Sequence, residues 1–303
     1  MAVVIRSAKA RRRLGRLGPN LLLVAALLFF TLPILAMLRF AMQRVPMVDL
    51  GWHTLFKKWT LSTLTEAFHE PDFGKTLTYS LRLAVGTAVG TLALVLPTTL
   101  YVHLRLPRSR SFVEFLTVLP YVVPPIAIVA GVSAFFRPNA KWFLNSEYSL
   151  IPFYITLALP FTYRALDAGV RAIDVRTLVD ASRSLGAGWF TTFFRVLIPN
   201  LLSAIVSSSF LTIAVVLGEF TIAANLSRTT FPVFSLTLYN KSPLGGLALA
   251  VMTLLGSTAL LGLLTLLMRG RARRRDYTAG RRRGGAGTSP STPSVTDATT
   301  LAP

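Results

Sequence analysis

Positions 180 to 186 read Asp180-Ala181-Ser182-Arg183-Ser184-Leu185-Gly186. Thirteen residues after the glycine comes Pro199, at the end of Phe193-Phe194-Arg195-Val196-Leu197-Ile198-Pro199. An acid, small residues, a glycine and a proline at this spacing make and break no bonds. They specify a polar helix, a turn and a second short helix ending at the proline, a knob that can bear on another surface. Binding chemistry is offered elsewhere: a carboxylate at Glu219, in Leu217-Gly218-Glu219-Phe220, and a hydroxyl run at Ser207, Ser208 and Ser209. The common catalytic sets are excluded. Cys is absent, the three histidines His53, His69 and His103 are scattered, and no Gly-rich Lys-Ser/Thr phosphate loop occurs. Thiol chemistry, a metal site and ATP hydrolysis by this chain are therefore not expected.

Apolar residues make up 52% of the 303 and charged residues 15%, against roughly 25% charged in soluble domains. The net charge of +20 would suggest nucleic acid in a soluble protein. Its distribution argues otherwise, because the basic residues crowd both ends, Arg6 to Arg16 and Arg269 to Arg283, around a largely hydrocarbon middle. Basic ends beside apolar segments mark the inner side of a membrane and exclude nucleic acid as the partner.

A bilayer core asks for about 20 apolar residues per helix. Six segments meet or approach this: Leu21–Phe40, Leu77–Val102, Phe115–Phe136, Ser149–Tyr163, Leu201–Gly218 and Leu244–Met268. The expected fold is all-α and polytopic, with 1–20 a basic cytoplasmic N-terminus, 21–268 the transmembrane domain, and 269–303 a disordered basic tail. With the N-terminus inside, the short loop 104–111 is cytoplasmic and carries Arg105, Arg108 and Arg110 with no acid, as the positive-inside bias requires. The knob, 166–199, then falls on the cytoplasmic side between the fourth and fifth spans.

In that segment Leu166, Val170, Ile173, Leu178, Ala181 and Leu185 repeat at helical spacing, with Asp167, Arg171, Asp174, Arg176, Asp180 and Arg183 on wetter faces. Asp167 and Arg171 form an i,i+4 pair. Asp180 suits the first turn of a helix, Gly186 a turn that would strain any residue with a side chain, and Pro199 a helix start. Two readings fit these residues: a solvated connection between spans, or a docking element for a soluble partner.

The Asp180-Ala181-Ser182, Gly186 and Val196-Leu197-Ile198-Pro199 pattern resembles the cytoplasmic signature of the inner-membrane permease subunits of binding-protein-dependent ABC importers. In that family Glu-Ala-Ala is followed after three residues by Gly and later by Ile-x-Leu-Pro. The resemblance covers Thr76 to Met268 and implies the type I importer permease fold with six spans. It implies that Asp180, Ala181, Ser182, Arg183, Gly186 and Pro199 belong to a coupling helix seated in an ATPase subunit. Two such subunits would carry the ATP and Mg; this chain would bind no cofactor and would not be an enzyme. The other implied partners are a second related permease, most simply a heterodimer, and an extracytoplasmic solute-binding protein, all at a bacterial plasma membrane.

For the solute, Glu219, Ser207, Ser208, Ser209 and Tyr121 are the path candidates. Ordinary helix packing explains such serines more often than a path role does, and Glu219 serves equally as a partner for Arg228 or for a base of the partner subunit. A carboxylate with aromatic neighbours favours ammonium groups. The block 218–223 followed by Phe231-Pro232-Val233-Phe234 is similar to permeases of spermidine/putrescine importers. A polyamine is the expected solute; ferric iron, thiamine, phosphonate or sulfate are the alternatives within the family, and a non-transporting membrane scaffold is the alternative outside it. The Gly86-to-Gly90 spacing reads as a helix-packing face.

Overall fold

The computed structural model describes residues 2–43, 59–259 and 262, with side chains from residue 20 onward. The chain divides into two compact units, Met1–Ser257 and Thr258–Pro303. The described helices belong to the first unit, apart from the last two residues of the final one. The basic tail 269–303 lies outside the described residues.

The described fold is all-helical apart from one isolated bridge between Gln43 and Trp59. The long helix α1 (Ala2–Met42) makes the basic N-terminal segment continuous with the first apolar stretch. A short α2 (Ser62–Phe68) precedes α3 (Phe73–Arg105), and α4 (Arg110–Val122) and α5 (Pro125–Asn139) follow. After α6 (Lys141–Asn145) come α7 (Leu150–Ala172) and α8 (Val175–Ser184). Then α9 (Trp189–Thr191), a π-helical turn Thr192–Leu197 and α10 (Ile198–Gly218) run as one apolar helix, Trp189–Gly218. The described chain closes with α11 (Thr221–Asn225), α12 (Phe231–Lys241) and α13 (Pro243–Ala259).

Among the described residues three helices are long and apolar enough to cross a membrane: Asn20–Met42, Phe73–Arg105 and Trp189–Gly218. A fourth is counted if the bent pair Pro107–Val122 and Pro125–Asn139 is one span. The expected count was six. The third expected span, Phe115–Phe136, is broken by an 82° bend. Val123 and Pro124 are both extended, with ψ of 125° and 133°, because each precedes a proline whose ring excludes the helical conformation. The fourth, Ser149–Tyr163, is too short as read. Its helix continues to Ala172 through Arg164, Asp167 and Arg171, and these charges keep it from reading as a simple apolar span. The sixth is described only to Ala259, as a shorter apolar helix.

The centre is a three-helix packing of α3, α7 and α10. Small residues allow it. A Cβ on Gly86 or Gly90 would come within 2.8 Å or 2.7 Å of Ile151 or Ile155, and one on Gly169 within 2.2 Å of Ala204. Such close approach is how helices associate where water supplies no driving force between them. A buried hydrogen bond between the Thr162 and Thr212 hydroxyls, 2.8 Å, links α7 to α10. Two apolar clusters follow along this trio. One gathers Leu100, Leu166, Val175, Leu197 and Leu201 near α8; the other gathers Leu83, Leu150, Tyr154, Val216 and Ile222 toward the opposite end. A third cluster packs the end of α1 with α12 and α13, through Ala41, Phe234, Leu238 and Leu249.

Candidate functional site

The 166–199 segment is one folded unit. Asp174 caps α8: its carboxylate accepts from the Thr177 amide at 3.3 Å and the Thr177 hydroxyl at 2.6 Å. These bonds hold the Asp174 carboxyl below the usual carboxylate range. Asp180, expected in the first turn, is instead mid-helix and exposed, because Asp174 already occupies the cap. The other end of α8 closes on Gly186, whose φ is +79°. Its amide donates to Arg183 O at 2.9 Å and the Ala187 amide to Ser182 O at 3.1 Å. This is the paired-bond stop in which a left-handed residue satisfies the last carbonyls of a helix.

Ser182 is buried, and its hydroxyl bonds that of Thr192 at 2.9 Å, fastening α8 to the start of the next helix. A buried bond of this kind contributes about 1 kcal/mol. The arrangement hides Ser182 while leaving Ala181, Arg183 and Gly186 on the surface. It also leaves Leu185 88% and Phe190 81% exposed. They are the most exposed large apolar side chains among the described residues.

Pro199 stands exposed at the second position of α10, where a helix start suits it, but the short helix before it does not end there and runs on into α10. It has no amide hydrogen and its ring crowds the carbonyl one turn back. The π-helical turn Thr192–Leu197 directly before it widens the helix there. From Trp189 to Gly218 the chain is thus continuously helical, and α8 joins it through the Gly186 turn.

Asp167, expected on a wet face, is instead buried at the junction of α3, α4 and α7. Its carboxylate accepts from His103 Nε2 at 2.8 Å, from Arg110 Nε and Nη2 at 2.7 Å each, and pairs with Arg171 at 2.9 Å. Burial pushes the Asp167 carboxyl up, but the hydrogen bonds from His103 and Arg110 and the nearby guanidinium charges outweigh it. The group titrates below its ordinary value. Arg176, on α8, donates to His103 O at 3.3 Å, so the cluster reaches α8 as well. The i,i+4 spacing revealed only Arg171; the other partners come from more than fifty residues away and leave no local signal.

At the opposite end, Glu219 follows α10 and its two oxygens accept from the Ile222 amide at 2.7 Å and the Ala223 amide at 3.3 Å. The carboxylate therefore caps α11. The buried Tyr154 side chain of α7 lies near this carboxylate. Arg228, the alternative partner, instead donates to Leu144 O and to Ser146 O, and does not pair with Glu219. Ser227, at φ 56°, makes the turn that sends Arg228 there.

Ser207, Ser208 and Ser209 do not form one patch, because successive helical residues fan about 100° apart. Each hydroxyl bonds a carbonyl of its own helix, Ser203 O or Ile205 O, at 2.8 to 2.9 Å, and Ser208 is wholly buried. Tyr121, on α4, is half exposed and packs edge-on against Phe161 of α7, with ring centroids 5.5 Å apart. The structure does not bring Tyr121, the serines and Glu219 to one polar site.

Residues 96–273, more than half of the chain, match the family model described as binding-protein-dependent transport system inner membrane component. Among curated proteins, the chain is similar to the spermidine/putrescine transport system permease protein PotB of Haemophilus influenzae. The two are 28% identical over 132 residues, 39% of this chain and 46% of the relative. It is also similar to a probable sulfate transport system permease protein, cysT, of Prototheca wickerhamii, 28% identical over 37% of this chain and 48% of the relative. A third relative is the molybdate/tungstate transport system permease protein WtpB of Pyrococcus abyssi, 27% identical over 48% of this chain and 57% of the relative. The chain spans about half the length of the curated relatives it matches.

Proposed function

The chain belongs to the family of inner membrane components of binding-protein-dependent transport systems, and from that premise we propose that it is one permease subunit of an ATP-driven importer. The family is one of multi-pass membrane transport components, not of enzymes. In this proposal α8 and its Gly186 turn form the element that seats on an ATPase subunit. The chain pairs with a second permease, and an extracytoplasmic binding protein delivers solute to the outer side. Both termini are cytoplasmic, the transmembrane domain is 21–268 with six membrane passages, the broken α4–α5 pair supplies the third, and α7 as far as Tyr163 supplies the fourth.

The observation that carries the proposal is the closed turn at Gly186. It presents exposed Leu185 while Ser182 and the π-helical turn fasten α8 to α10. Force applied to α8 would reach α3 through Arg176 and α10 through Ser182 and Thr192. In reconstituted vesicles, Gly186→Val is expected to keep the complex assembled but to separate ATP hydrolysis from uptake. Wild-type coupling in that variant would remove α8 from the coupling role.

Within this reading we propose a polyamine as the solute. The support is Glu219 and the similarity to spermidine/putrescine permeases; Ser207, Ser208, Ser209 and Tyr121 are proposed as further path residues. A second reading, an oxyanion, is favoured by a different observation. A cleft of about 850 Å³ beside α5 and α6 is lined by Arg137, Lys141 and Arg228 and by no acid, and two relatives are named for sulfate and molybdate/tungstate. Competition of radiolabelled putrescine uptake by spermidine or by sulfate decides between them. Inhibition by sulfate alone would overturn the polyamine assignment.

A further inference from the structure

Two clefts meet at Trp189. The first is an apolar groove of about 720 Å³, with α3 from Leu92 to Tyr101 on one wall and Trp189, Phe190, Phe193 and Phe194 on the other. The second, of about 860 Å³, lies between the end of α3 and α8 and is lined by Arg105, Arg176 and Arg183, with Asp180 as its one acid. Trp189 lines both. The apolar groove is open, with Phe190 and Phe194 among its most exposed rings.

The order of these walls along α3 has a length scale. From Leu92 to Tyr101 a helix rises about 14 Å, close to the roughly 15 Å of one hydrocarbon leaflet. Arg105 stands one turn further, about 6 Å on, where phosphates begin. Trp and Tyr at the boundary, here Trp189 and Tyr101, are the side chains that favour the headgroup level. Three arginines against one aspartate favour an anion, and basic pockets between helices at the inner face suit anionic headgroups.

We infer that this composite groove is a binding site for an anionic phospholipid. One acyl chain lies against α3 between Leu92 and Tyr101, and the phosphate sits on Arg105, Arg176 and Arg183. The lipid covers the aromatic wall and braces α8 against α3. The inference rests on the reading that α3 spans the membrane with Arg105 at the inner face; it does not depend on solute, ATPase or binding protein.

The test uses the purified full-length chain in mixed micelles holding equal phosphatidylglycerol and phosphatidylcholine, with retained lipid counted by native mass spectrometry. The wild-type chain is expected to retain phosphatidylglycerol in preference. Arg105→Gln should weaken that retention by about fivefold, the effect of one basic residue at a charged surface. Ala93→Trp, from an exposed position in the groove wall, should fill the acyl track and release the lipid. Arg108→Gln, which removes the same charge outside the cleft, should retain lipid as the wild type does, and soluble glycerol phosphate should not compete. Equal retention of both lipids, a loss in Arg108→Gln as large as in Arg105→Gln, unchanged retention in Ala93→Trp, displacement by glycerol phosphate, or a lipid-free wild-type chain would each overturn the inference. Retention as expected in a chain that supports no uptake would strike the importer reading and leave the lipid site standing.

Discussion

A series at Gly186 separates backbone geometry from bulk. Gly186 sits at φ +79°, and a Cβ built there meets nothing within 4 Å. Side-chain size is therefore irrelevant, and only the left-handed backbone matters. A Cβ in that conformation costs roughly 1–2 kcal/mol, a shift of about five- to thirtyfold in the population of the closed turn. Asn visits the left-handed region most readily and should cost least. Ala should be intermediate, and Val, stiff and branched, should lie at the upper end. The assay is ATP hydrolysis stimulated by loaded binding protein, measured beside solute uptake in proteoliposomes of the full complex. Uptake per ATP should fall in the order Gly, Asn, Ala, Val, with all four chains inserted equally. An order that follows volume, with Asn below Ala, would refute the reasoning, as would wild-type coupling in Gly186→Val.

Gly169 should respond to bulk instead. Gly169→Ala would drive a Cβ to 2.2 Å from that of Ala204 and should lower membrane abundance and thermal stability, measured in detergent, before it alters coupling. Asp167→Asn removes the charge that faces His103, Arg110 and Arg171. Loss of such charged hydrogen bonds costs about 1.5–3 kcal/mol, and a melting point lower by several degrees should result. The folded Asp167 carboxyl titrates below its unfolded value, so its contribution is present above about pH 4 and disappears as pH falls through the depressed value. Thermal melts of the wild type on the acid side should show that loss, and the Asn variant should show a flatter acid limb. Glu219→Gln should reduce polyamine uptake at least tenfold while leaving abundance near wild type, because an amide oxygen can still cap Ile222; unchanged uptake with normal abundance would confine Glu219 to its capping role.

Local signals in the sequence carried the apolar helices at Leu21–Phe40, Leu77–Val102 and Leu201–Gly218, because length and hydropathy are properties of one segment. They carried the Gly186 turn for the same reason, since a glycine at a helix end announces its own conformation. They did not carry the bend at Val123 and Pro124. Three prolines were visible there, but whether they kink a span or split it depends on what α4 and α5 pack against. The continuation of α7 to Ala172 was hidden because Asp167 looked like a solvated charge until His103 and Arg110 were seen to bury it. Pro199 read as a helix boundary, and only the wider turn before it shows how the helix passes through. Glu219 was legible as an unusual carboxylate, but its two backbone donors depend on the turn into α11.

The central claim, that α8 is where this chain meets an ATPase subunit, can be measured with one substitution. The chain has no cysteine, and Ala181 is exposed on α8, so Ala181→Cys supplies a single thiol beside the turn. In the assembled complex a thiol-to-amine cross-linker at this position should join the chain to the ATPase subunit, with a yield that changes when ATP is bound. In intact cells the thiol should be silent to a membrane-impermeant maleimide added outside. A cross-link that never forms in a complex that still co-purifies, or labelling of that thiol from outside intact cells, would contradict the account.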